Sequence, residues 1–254
     1  MMMDRRQMLF ALAGLAAGGC SLSGKRPETP ARYMDVSGLN EPLPGERFYI
    51  SLFGSTRPVK TPRHCHTFCA FARVCDTESG PKFEGHSISW MPATLVTRPL
   101  SLHAEPGVNH PLADTLEWAL ADGQNIHQWG FYEFRPRLYH RLLVQNAFLE
   151  SGAVAYQCID DVGEARRKGN ACDCIHAITD VDPDYARNRY PLTRFGPAAS
   201  RYIVRQLWER SILINPEQTV ELNANFGIDC YPIIHRTYHP RHLARLRPKK
   251  LNAD

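Results

Sequence analysis

Two short stretches set cysteine beside histidine: His64-Cys65-His66-Thr67-Phe68-Cys69 and Cys172-Asp173-Cys174-Ile175-His176. Sulfur and imidazole together support three chemistries: metal ligation, disulfide formation, or attack by a thiol beside a base. Zinc sites usually separate their cysteines by two or more residues on tight turns. Here one residue separates Cys172 from Cys174, and Cys65 and Cys69 lie on an apparent strand from which His66 points the other way. That spacing suits zinc poorly. Disulfides fit an exported chain, yet the seven cysteines after Cys20 are an odd number, so at least one thiol stays free. Cys69 and Cys158, on strand-like patterns, are the best structural cysteines.

The nucleophilic reading turns on Cys174. Asp173 can cap a helix that starts at Cys174, where unpaired amides and the helix dipole favour a thiolate and could stabilise an oxyanion. Cys172 would lie before that helix. The base must come from another element. His66 opens one strand pattern and His86 opens a second. A hairpin of the two would set both imidazoles on neighbouring positions, one to take the thiol proton and one to orient it. His176, two residues after Cys174, faces roughly 200° away on a helix and reads as a packed or capping residue. Asp160 and Asp161 would diverge on a strand and read as loop residues. The four tryptophans read as core or rim. No phosphate-binding glycine loop, dinucleotide fingerprint or Gly-x-Ser-x-Gly elbow is present.

These groups need a scaffold. Strands are predicted over 48–53, 66–74, 86–90, 95–102, 126–134, 153–159 and 231–236, with a polar loop over 76–85. Helices are predicted over 111–120, 136–151, 174–181 and 198–213; the second begins at Pro136 and stops at Gly152, and the third must end before Pro183. The elements mix without strict βα alternation, which predicts an α+β fold in one domain over 46–240. With 43% hydrophobic and 22% charged residues, 254 residues can bury a real core and are not globally disordered.

The strand His66-Thr67-Phe68-Cys69-Ala70-Phe71, the segment Gly85-His86-Ser87-Ile88-Ser89-Trp90-Met91-Pro92 and the late Asp173-Cys174-Ile175-His176 resemble the circularly permuted NlpC-type papain-like proteins. That branch includes lecithin–retinol acyltransferase and its relatives. The resemblance implies an antiparallel sheet with a nucleophile-bearing helix packed on it. It also implies Cys174 as nucleophile, His66 as general base and His86 as its orienting partner. The implied reaction is thiol acyl transfer on an amide or ester, with neither a metal nor an organic cofactor. Two other readings stand beside it: a non-catalytic envelope lipoprotein that uses the fold to bind or scaffold, and a Cys/His metal-binding envelope protein.

Residues 1–19 have the layout of an export signal. Arg5-Arg6 precede an Ala/Gly-rich apolar run and resemble a twin-arginine signal, and Ala17-Gly18-Gly19-Cys20 resembles a bacterial lipobox with Cys20 as the lipidated residue. Several acyl chains on one residue would anchor the chain to a membrane. Residues 20–45 read as a tether, and the expected location is the periplasmic or cell-surface side of a bacterial membrane. Cell-wall peptides or lipid acyl groups are the implied substrates. The net charge of +4 is concentrated in the tail 241–254, which holds Arg241, Arg245, Arg247, Lys249 and Lys250. The body is therefore close to neutral, which implies no nucleic-acid partner.

Overall fold

The computed structural model describes residues 27–182, 195–219 and 221–238. The expected signal 1–19, Cys20 and the basic tail lie outside them. In chain order the elements are α1 (Pro30–Tyr33), β1 (Glu46–Thr56), β2 (Cys65–Thr77), β3 (Gly80–Ile88), β4 (Trp90–Pro92), β5 (Glu105–Asn109), α2 (Leu112–Ala121) and β6 (Asn125–Phe134). There follow α3 (Pro136–Glu150), β7 (Ala155–Tyr156), α4 (Gly163–Lys168), β8 (Ala171–Cys172), α5 (Cys174–Thr179), α6 (Pro197–Glu209), β9 (Leu213–Gln218), α7 (Leu222–Asn225) and β10 (Ile233–Arg236). The large sheet runs β10-β6-β1-β2-β3 with β9 also on β6, and a small sheet runs β4-β5-β7-β8. The large sheet is antiparallel apart from the β10–β6 pair.

Both faces of the large sheet are covered, and strand alternation sorts the side chains between them. Phe48, Ile50 and Leu52 of β1 join Cys69 and Phe71 of β2 in one core, with Tyr139 and Leu142 from α3 and Ile203 and Leu207 from α6. On the other face Phe53 stacks on Phe68, and Ala70, Leu112 and Leu116 complete the core against α2. One close approach fixes α6: a Cβ on Gly54 of β1 would lie 2.5 Å from the Pro197 backbone.

The architecture is α+β with an antiparallel sheet, as the mixed pattern predicts. Several local expectations are corrected. Residues 76–85 are not a loop, because β2 and β3 continue to a two-residue turn at Glu78-Ser79, with Thr77 paired to Gly80. Residues 95–102 form no strand; the paired strand is β5, a few residues later, beside β4. The strand expected over 153–159 shrinks to Ala155–Tyr156. No disulfide joins the seven described cysteines: Cys65, Cys69 and Cys172 are buried thiols, Cys230 is exposed, and Cys75, Cys158 and Cys174 are partly exposed.

Candidate active site at the junction of the two sheets

The chain passes from β3 to β4, and so from the large sheet to the small one, at Ser89. Ser89 is fully buried and held on three sides. Its N–H donates to Asn109 Oδ1 (2.8 Å), its carbonyl accepts from His110 N–H (3.0 Å), and its hydroxyl lies 2.9 Å from His66 Nε2. Thr115 of α2 adds a second hydroxyl 2.7 Å from Ser89 Oγ and 3.0 Å from the Pro111 carbonyl oxygen.

His66 is therefore an anchored residue, only 3% exposed. As an even-numbered residue of β2 it faces α2, where its ring stacks on Phe68 (5.2 Å) and meets the edge of Trp118 (6.3 Å). Burial lowers its pKa to about 3, with a smaller contribution from His110. The imidazole is neutral throughout the physiological range.

His86 does not take part. The antiparallel register pairs it with Phe71, five residues along β2 from His66 and so on the opposite face. It stacks on Phe71 at 5.4 Å and lies 3.3 Å from Glu84. The two-residue turn dictates this register, and the residue it delivers to His66 is Ser89.

Cys174 opens α5 immediately after β8. A tie from Trp90 Nε1 to the Cys172 carbonyl (3.2 Å) holds this entry to β4. Asp173 caps α5 as expected, but its Oδ1 accepts from Ile175 N–H (2.8 Å) and His176 N–H (2.7 Å). Those two amides are thus occupied and are not free to bind an oxyanion. The thiol keeps partial exposure, packs against the α3/α6 core and lies within hydrogen-bond reach of the Thr67 main chain, the residue after His66. Burial pushes the thiol well above its ordinary range and the Asp173 charge adds to this, while the Thr67 main chain pulls back. Desolvation and the cap carboxylate outweigh the short helix, so Cys174 rests as a protonated thiol rather than the dipole-stabilised thiolate expected.

Imidazole and thiol thus meet the same dipeptide of β2, His66 from the α2 side and Cys174 from the α5 side. Among the described residues no hydrogen bond joins them. Beside the thiol, His176 is buried as expected, with Nδ1 2.8 Å from Asp160 Oδ2 and 3.3 Å from Asp173 Oδ2. Asp160 lies in a turn, as expected, but is only 2% exposed and also accepts from Asp173 N–H (3.1 Å). These carboxylates hold His176 protonated against burial, raising its pKa well above the ordinary value.

Asp160, Asp173 and His176 form the one cluster with metal-ligand spacing among the described residues, and it contains no cysteine. Their mutual hydrogen bonds already satisfy a cation, the imidazolium itself. Ser89 and Thr115 are site residues that the sequence pattern did not single out, and Asp160 is one that it set aside. Their common signal is position, next to a strand end or a helix cap, rather than residue type. No protein family, curated protein or solved structure matches this chain.

Proposed function

We propose that the protein is an exported, lipid-anchored thiol acyl-transfer enzyme with a permuted papain-like core. In this reading it is an amidohydrolase or acyltransferase acting on cell-envelope peptides or lipids. Cys174 attacks the substrate carbonyl, and His66 takes the thiol proton and returns it to the leaving group. Water or another acceptor then resolves the acyl-enzyme. What supports the reading is that the Cys174 thiol lies within hydrogen-bond reach of the Thr67 main chain, next in sequence to His66, whose ring Ser89 holds.

Both partners are neutral at rest, which favours general-base attack by a thiol over a preformed ion pair. Thr115 Oγ1 donates to Ser89 Oγ, and the reading requires His66 to present Nε2–H to the same oxygen. That tautomer leaves the lone pair on Nδ1 and makes Nδ1 the base. Ser89 then does for His66 what the family resemblance assigns to His86. Export and anchoring rest on the pattern of residues 1–20.

The test is labelling by a thiol-directed acyl probe. Wild type should be acylated at Cys174, Cys174→Ser should not, and His66→Gln should react at least tenfold more slowly. Equal labelling of wild type and Cys174→Ser, or none of either, overturns the assignment. The near-complete burial of His66 favours one rival, a scaffold in which imidazole and thiol only fill space. In that case His66→Gln leaves the reactivity of Cys174 unchanged.

A further inference from the structure

Cys158 is a partly exposed thiol that the proposed chemistry does not use. The parallel pair β7–β8 sets Ala155 opposite Ala171 and Tyr156 opposite Cys172. The register persists beyond the ladder, because Gln157 N–H donates to the Cys172 carbonyl at 3.3 Å. Past Cys158 the chain bends, and the Asp160 side chain reaches back so that its Oδ2 accepts from Asp173 N–H at 3.1 Å, which keeps the two segments adjacent. Just past the last pair, Cys158 lies in a bend and Cys174 opens α5, so the two thiols follow neighbouring ends of the paired segments. Both pack against the same core, close enough for charge on Cys158 to bear on the Cys174 proton. Each sulfur is also desolvated, with Cys158 pushed up to about 12, so neither is a fast thiolate on its own.

We propose that Cys158 and Cys174 are an oxidative modification site, which a hydroperoxide converts to a reversible disulfide. The peroxide oxygen first transfers to one sulfur, giving a sulfenic acid and releasing water or an alcohol. The second thiol then attacks that sulfur, the S–O bond breaks, and a second water leaves as the S–S bond forms. The first step is slow because little thiolate is present, and the second is intramolecular and fast. The assignment needs only the neighbouring positions of the two sulfurs and stands whether or not Cys174 is catalytic.

The experiment is peptide mapping by mass spectrometry of the full chain, before and after hydrogen peroxide, without reductant. The expected product is a cross-linked 158–174 peptide pair lighter by two hydrogens, abolished by dithiothreitol and absent from Cys158→Ser. Its formation should quicken about tenfold per pH unit between pH 7 and 9. In Cys158→Ser, Cys174 should proceed to the sulfinic acid instead. A link from either residue to Cys65, or separate over-oxidation of Cys158 and Cys174 in the wild type, overturns the assignment. Should Cys158→Ser fail to fold, the wild-type map alone decides, since it identifies both partners directly. Acyl-probe labelling that survives in fresh Cys158→Ser and is lost in peroxide-treated wild type separates this site from the catalytic proposal.

Discussion

Replacing His66 by glutamine removes a buried titrating group while keeping an N–H that can donate to Ser89. The folded imidazole has a pKa of about 3 against an ordinary 6.5. Below pH 6.5 the unfolded chain therefore takes up a proton that the folded protein refuses. The stability tied to this residue is whole above pH 6.5, declines as the pH falls, and is fully lost near pH 3. At 1.36 kcal/mol per unit, the difference reaches about 3 kcal/mol at pH 4 and about 5 kcal/mol at pH 3. With a urea slope of roughly 3 kcal/mol/M, the wild-type midpoint at pH 4 should fall about 1 M further from its pH 7.5 value than that of His66→Gln. His110, His127 and His140 are also lowered by burial, but they are common to both proteins and cancel in the difference to the extent that they are independent of His66. Parallel loss of stability in the two proteins, or an imidazole that titrates near 6.5 by NMR, would refute the burial argument.

The other expectations concern the surroundings of that ring and the thiol. Ser89→Ala leaves His66 Nε2 and the Thr115 hydroxyl without a shared partner and should cost about 1–3 kcal/mol in urea unfolding. Alkylation of Cys174 by iodoacetamide should still be accelerating above pH 9, since burial and Asp173 hold its proton on; a plateau near neutral pH contradicts the desolvated thiol. Asp160→Asn strips the buried His176 cation of its nearer carboxylate and should destabilise the fold by about 3–5 kcal/mol near neutrality. The His176 contribution has the opposite sign to that of His66: it is whole below pH 6.5 and lost as the pH climbs through the raised value. Gly54→Ala drives a methyl into the Pro197 backbone and should cost at least about 1–3 kcal/mol, read as a lower melting temperature.

What the sequence made legible was the element types and the alternation. The helix at Pro136 and its stop before Gly152, the cap at Asp173, and the outward turn of His66 from Cys65 and Cys69 are all visible in residue spacing. What it hid was register. Treating 76–85 as a loop left the offset between His66 and His86 open. The turn at Glu78-Ser79 closes it and carries His86 away to Phe71. A polar residue chosen by the end of a strand, such as Ser89, and the helix residue that reaches it, Thr115, carry no signature until that offset is known. Nor could spacing show that the Asp173 carboxylate, by accepting two amides, leaves a negative charge beside the very thiol its helix was expected to activate.

A backbone that changes layers at a single serine makes that serine a hinge pin shared by two plates. Its amide is bolted to the small plate through Asn109 and His110, and its hydroxyl to the large one through the imidazole. Sliding one plate by an ångström would stretch the 2.9 Å contact past useful length and leave the ring held by Phe68 and Trp118 alone. The tie between Ser89 and His66 is thus where any displacement between the plates is first felt.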